Sequence, residues 1–228
     1  IKYFNYLYNI KINKNMIDIK SEFEKYSVKH LGVSSLKLHD YQSSMTPYIL
    51  EERELRATQM DIFSRLMMER IIWCAGPVDD RMSTIVQAQL MFLDTLSDED
   101  VIMHIDTPGG SVKSGLSIVD VMDYVKCDVA TINTGMAASM GAVLLGAGAK
   151  GKRASLRFSR TMIHQSSGGS VGNIQDARID FEEWEKINTT LFELLGKYCG
   201  KTTKQVIKDA NRDKWLSSSD ALNYGIID

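Results

Sequence analysis

The chain has 228 residues, 44% of them hydrophobic and 25% charged, enough sequence for one domain or a small pair with a real core. Those proportions exclude a fibrous repeat, a wholly disordered chain and a disulfide mini-protein. Twenty-seven basic against 29 acidic residues leave a net charge of −2, without the basic surplus of a nucleic-acid binder.

Residues 1–44 mix Asn, Lys, Ser and Tyr without a sustained period, and read as a weakly ordered leader. Lys2, Lys11 and Lys14 interrupt its first apolar residues, so it is unlike a secretory signal. Residues 1–15, which precede Met16, read as an upstream extension. The stretch SEFEKYSVKHL fits a short helix, with Ser21 as N-cap and Glu24 closing a capping box.

From Asp61 the pattern sharpens. DIFSRLMMERI predicts a helix, and RIIWCAG a short strand ended by Gly76 and Pro77. STIVQAQLMFLDTL is an amphipathic helix, VIMHID a strand stopping in the turn TPGG, and GLSIVDVMDYV another helix. DVATINT then reads as a strand and AASMGAVLLGAGA as a helix of small residues. Strand alternating with helix in this order predicts parallel crossover units, an α/β fold. The Gly-rich loops would then gather at the strands' C-terminal ends, where ligand sites commonly sit. Residues 173–197 carry Ile174, Ala177, Phe181, Trp184, Leu191 and Leu195 on one helical stripe. Such a helix is either a core helix or an element that projects against a second subunit. TTKQVIKDA is a further short helix, and NRDKWLSSSDALNYGIID closes the sequence.

Ser139, in TGMAASMGA, falls where a strand gives way to a helix among Gly135, Ala137, Ala138 and Gly141. Small neighbours allow a sharp turn and leave a hydroxyl uncovered, which a nucleophile needs. Read alone it is more often a capping or packing serine. Of four histidines, His30 and His39 lie in the leader, His104 inside a strand, and His164 just before a Gly-rich loop. Asp213 by itself is a surface carboxylate. Together, Ser139, His164 and Asp213 supply a nucleophile, a base and a carboxylate to fix the imidazole tautomer. The TPGG loop adds backbone N–H groups. Cys74, Cys127 and Cys199 are few, odd in number and lack metal spacing, which points to buried thiols in a reducing, cytoplasmic compartment.

From about residue 45 onward the sequence resembles the proteolytic subunit of the Clp protease, the ClpP family. SRLMMERIIWCAGPVDD resembles the start of that family's core, DTPGG its SPGG loop, GMAASMGA its serine motif, SRTMIHQ its histidine motif and NRDKWLS its aspartate motif. The resemblance implies a crotonase-like α/β fold and a serine endopeptidase with Ser139, His164 and Asp213 as its triad. It implies an oxyanion hole from the N–H groups of Gly110 and Met140, and no cofactor or metal of its own. It further implies two stacked heptameric rings interlocked by the long helix. An AAA+ unfoldase such as ClpX, or one like ClpA or ClpC, would use ATP to feed unfolded polypeptide through an axial pore. Residues 1–44 would be a propeptide-like leader, 45–60 an axial pore-loop segment, and 61–228 the protease domain.

Three departures from the family pattern stand out. Ser166 follows Gln165 where the family has proline, so this loop is expected to be looser. Asn211 replaces an acidic residue of a ring-coupling pair, leaving Arg212 to find another acceptor, for which Asp176 is the candidate. On the unfoldase-docking face, marked by His104, Tyr124 and Thr134, His104 and Thr134 replace the expected Tyr and Met. Two other functions stay open: a catalytically impaired ring subunit supporting an active paralogue, and an acyl-CoA enzyme of the crotonase superfamily.

Overall fold

The computed structural model describes residues 19–29, 34–35, 48–53, 56–170 and 172–228. His30, His39 and most of the leader therefore lie outside the described residues. Helix α1 (Ile19–Lys29) begins before Ser21, so Ser21 sits inside the helix and is not its N-cap. The leader also contributes to the core. Phe23 is fully buried, and its ring meets Phe92 edge-on at 5.6 Å between centroids. Strands β1 (Tyr48–Arg53) and β2 (Arg56–Asp61) pair antiparallel, with Tyr48 opposite Asp61 and Arg53 opposite Arg56. Asp61 then caps α2 (Ile62–Met68), accepting the Ser64 N–H at 2.9 Å and its hydroxyl at 2.6 Å.

The alternation seen in the sequence builds the main sheet. β3 (Ile71–Ala75), α3 (Asp80–Leu96), β4 (Val101–Thr107), α4 (Val112–Tyr124) and β5 (Val129–Ala138) follow in turn, and the three strands pair in parallel. Successive strand residues face opposite sides. Met103 and Ile105 join the main core with Ile85, Leu90 and Leu93 of α3 and Ile118 of α4. Ile102 packs on the other face with Ala130 and Ile132, a smaller apolar layer. Arg70 closes the C-terminal end of α3, donating to the carbonyls of Leu93, Ser97, Glu99 and Asp100.

β5 is longer than the sequence predicts. It runs ten residues, through Ala138, so the following helix α5 (Met140–Gly146) begins after Ser139 and not at Ala137. Its register against β4 shifts between Ile105 and Thr107, a bulge around Thr134, Gly135 and Met136. Polar groups satisfy the freed backbone: Asp106 accepts the Met136 N–H at 2.9 Å, and buried Asn133 accepts that of Gly135 at 3.2 Å. The bulge also divides the strand's partners. Before it β5 pairs with β6 (Arg153–Ser155), and after it with β7 (Arg160–Ile163). Asn133 spans the change, donating to the Arg160 carbonyl at 3.0 Å and the Thr161 hydroxyl at 3.2 Å. β8 (Lys214–Leu216) adds antiparallel to β7, giving the order β3-β4-β5-β7-β8 with β6 beside β5.

Helix α6 (Ile174–Cys199) has 26 residues, so it rises roughly 39 Å. Asn173 caps its start through the Gln175 and Asp176 N–H groups, and Gly200, at φ 63°, takes the left-handed turn that ends it. The core reading of this helix holds for its C-terminal half. Leu191, Phe192, Leu195 and Gly196 are buried, whereas Ile174, Ile179 and Phe181 are 76%, 65% and 58% exposed. Its last half belongs to the core and its first half projects. α7 (Thr203–Asp209) and α8 (Ser218–Tyr224) complete the chain. No described helix is long and apolar enough to cross a membrane.

Arg153, 2% exposed, fastens the end of the chain. It donates to both Asp228 oxygens at 2.6 and 2.7 Å, and to the carbonyls of Gly146 and Tyr198. Burial pushes the Asp228 carboxyl up, but hydrogen bonds from Arg153, Lys150 and the Gly151 N–H outweigh it and hold the group well below the usual carboxylate range. That stabilisation is complete at neutral pH and is lost as pH falls below the ordinary carboxylate value of about 3.9 toward the depressed one. Replacing Arg153 with Met is expected to cost about 3 kcal/mol and to flatten the acid limb of stability, read by urea unfolding between pH 3 and 7.

Candidate active site

Three segments far apart in sequence end at one edge of the sheet because of strand register. Ala138 pairs with Met162, so Ser139 leaves β5 beside the end of β7, and its N–H donates to the Met162 carbonyl at 2.8 Å. His164 follows β7 directly. Antiparallel β8 sets Lys214 opposite Ile163, which brings the preceding Asp213 level with His164. The Ser139 hydroxyl lies 2.8 Å from His164 Nε2, and Asp213 Oδ1 lies 3.2 Å from Nδ1. An ionised carboxylate only accepts, so the Nδ1 proton points to Asp213 and the Nε2 lone pair to the serine hydroxyl. The histidine side chain is 26% exposed and the aspartate 63%, so the ring is largely enclosed while the carboxylate stays open to solvent.

Ser139 has φ 55° and ψ −118°, rare for a residue with a Cβ, at a cost of roughly 1–3 kcal/mol. It occupies the N-cap position of α5 but makes no side-chain capping bond. The capping reading of this serine therefore fails. Its hydroxyl is committed to His164.

The turn at residues 107–110 closes over this serine. Gly109, at φ 91°, admits no side chain: a Cβ there would come within 2.6 Å of the Ala138 carbonyl oxygen and 2.7 Å of Ser139 Cβ. Buried Thr107 secures the loop by accepting the Gly109 N–H at 3.1 Å, and Val78 bridges to Gly110 from the other side. Among the described residues, neither the Gly110 nor the Met140 N–H donates within the chain. Met140 follows Ser139 directly, and Gly110 follows the glycine that packs on it. The Met140 side chain is buried against Gly115 of α4, which holds its N–H in place.

The model for the Clp protease family matches residues 53–228. The chain belongs to the Clp protease family. Its sequence is 47% identical over 213 residues to the ATP-dependent Clp protease proteolytic subunit of Porphyromonas gingivalis, covering 91% of this chain and 96% of that protein. The subunit of the same description from Bacteroides fragilis strain YCH46 is 46% identical over 212 residues, with the same coverage. A second Bacteroides fragilis protein so described is 48% identical over 185 residues, 81% of this chain and 89% of that one.

The remaining residues singled out in the sequence do not form one site. His104 and Thr134 share the sheet face that carries Ile102 and Ile132. His104 stacks on Trp73 at 4.8 Å between centroids and 12° between planes, and its buried Nδ1 has no hydrogen-bond partner among the described residues. Burial lowers the pKa of this histidine, disfavouring its charged form. The Thr134 hydroxyl donates to the Ile105 carbonyl at 3.3 Å. Tyr124, 75% exposed, ends α4, which packs on the opposite face of the sheet through Ile118 and Met122. Within one chain Tyr124 is thus no part of the His104 patch. Arg212 forms no ion pair among the described residues, and Asp176 accepts instead from the Asn173 side chain at 2.6 Å. No cluster of His, Cys, Asp or Glu among the described residues is arranged to hold a metal ion. Thr107 and Gly109 were not distinguished within DTPGG by sequence, because their roles depend on how closely the loop approaches Ser139.

Substituting Gly109 with Ala must push this loop away from Ser139. We expect peptidase activity to fall about a hundredfold while the circular dichroism spectrum is retained, since displacements near 1 Å cost that much in rate.

Proposed function

We propose that the chain is a serine endopeptidase in which Ser139 attacks the scissile carbonyl, His164 moves the proton and Asp213 orients His164. The observation that carries this reading is the unbroken line of hydrogen bonds from Ser139 Oγ through both ring nitrogens of His164 to Asp213. As Oγ bonds to the carbonyl carbon, its proton passes to Nε2, and the resulting imidazolium is stabilised by the Asp213 carboxylate. Negative charge develops on the carbonyl oxygen, for which the free N–H groups of Gly110 and Met140 are the proposed donors. The imidazolium then protonates the leaving amine, releasing the first product and leaving an acyl-Ser139. Water, deprotonated by His164, releases the second product and restores the serine.

The relatives are described as proteolytic subunits of an ATP-dependent protease, which supports a partner that consumes ATP and delivers unfolded polypeptide. An AAA+ unfoldase of the ClpX, ClpA or ClpC kind is the proposed partner, in the cytoplasm. This chain would need no cofactor itself. Two stacked heptameric rings are proposed, with the exposed Ile174, Ile179 and Phe181 of α6 covered by the opposing ring. Arg212 and Asp176 would contribute to that contact, and 45–60 to the axial pore. The sheet face of His104 and Thr134 would dock the unfoldase, with Tyr124 reaching it only from a neighbouring subunit.

The first test is hydrolysis of a short fluorogenic peptide by the purified protein beside Ser139→Ala, with particle mass read on the same samples. A fourteen-subunit mass in both, with activity lost in the variant, is expected. An assembled but inactive wild type would sink the peptidase reading and favour a ring subunit serving an active paralogue. On the docking face, His104→Tyr is expected to tighten unfoldase binding about fivefold by adding apolar contact. An unchanged Kd would remove His104 from that surface.

A further inference from the structure

The loop after His164, expected from its lack of proline to be looser, is tied to α6. The Ser166 N–H and the Ser166 hydroxyl both donate to Asn188 Oδ1, each at 3.0 Å. One residue earlier, the Gln165 N–H donates to the Ala210 carbonyl at 2.9 Å, on the segment leading to Asp213. Farther on, Gly168 lies against the Trp184 ring, which a Cβ would approach to 3.2 Å, and Ser170 donates to Asp180. The two residues following His164 are therefore anchored to different segments, 210–213 through Gln165 and α6 through Ser166.

We infer that Asn188 is a positioning residue for His164, a role that rests on the serine-peptidase reading. Proline at 166 would fix φ and carry no N–H needing a partner. Serine there frees φ and adds two donors, and the single Asn188 oxygen satisfies both. Without it the N–H beside the base is unpaired and the imidazole loses its fixed approach to Ser139. Among the described residues Asn188 makes no hydrogen bond to Ser139 or His164, so its hydrogen-bonded link to the base runs through Ser166.

The test uses the assembled protein and Asn188→Ala, Asn188→Asp, and Asn188→Ala combined with Ser166→Pro. In Asn188→Ala we expect kcat for a fluorogenic peptide to fall roughly tenfold, KM to stay within about twofold, and fluorophosphonate labelling of Ser139 to slow by about the same factor as kcat. The aspartate variant keeps the acceptor and should recover most of the rate. Ser166→Pro should do likewise in the Asn188→Ala background, by restraining φ. An unchanged kcat in Asn188→Ala overturns the inference, as does an equal loss in Asn188→Asp, which would mark a packing role. If Asn188→Ala alters the particle mass, Ser166→Ala decides without touching α6: about a threefold loss is expected, and none overturns the inference. Wild type inert to both peptide and fluorophosphonate would overturn the peptidase reading along with it.

Discussion

The arrangement at the sheet edge depends on one close backbone contact, between the turn at Gly109 and the turn at Ser139. Ser139, at φ 55°, is strained, whereas Gly109 takes φ 91° freely because it has no Cβ, and that absence is what lets the two turns touch. Each is held by what surrounds it. Thr107 and Val78 restrain the glycine, while the Met162 carbonyl and a wholly buried α5 restrain the serine. Strain of this kind persists only where neighbours over-determine it. Here the bulge in β5 is part of that cost, because it lets the strand leave β6 and reach β7 with its backbone groups still paired.

Register then does what no single motif does. A parallel partner brings the histidine alongside the serine, and an antiparallel strand of three residues brings the aspartate alongside the histidine. Slipping β8 by one residue would turn Asp213 to the other face of the sheet and put Lys214 opposite the imidazole. Much of the chemistry therefore rests on a very short strand. Its position is secured from outside the sheet: Lys214 pairs with Asp209, which also accepts the Tyr224 hydroxyl at 3.0 Å.

The strand and helix alternation from Asp61 to Gly146 was legible because apolar periodicity is strong there and glycine marks the turns. The three polar residues of the site were legible only as a set, through five motifs in a fixed order. Individually each sits in a pattern that suits a surface or capping residue. What escaped the sequence follows from length and distance. β6, β7 and β8 have three, four and three residues, too short to display a period. The extension of β5 through Ala138 was hidden because Gly135, Ala137 and Ala138 carry no strand preference, and tertiary pairing decides the matter. Ser21 looked like a cap because Ser and Glu stood at capping spacing, yet the helix starts earlier and is docked through Phe23. Asn188 gave no signal at all, since its partner is 22 residues away and one turn of sequence does not reveal it.

Helix α6 is a single run of hydrogen bonds drawn across two environments. Around Leu191 to Gly196 it cannot open without exposing core side chains, whereas around Ile174 to Phe181 its apolar side chains already lie exposed. In a lone subunit, amide exchange along this helix would therefore be graded, slow at its C-terminal end and fast toward Asn173. Covering the first half with another subunit would level the gradient, so protection of those amides reports assembly residue by residue.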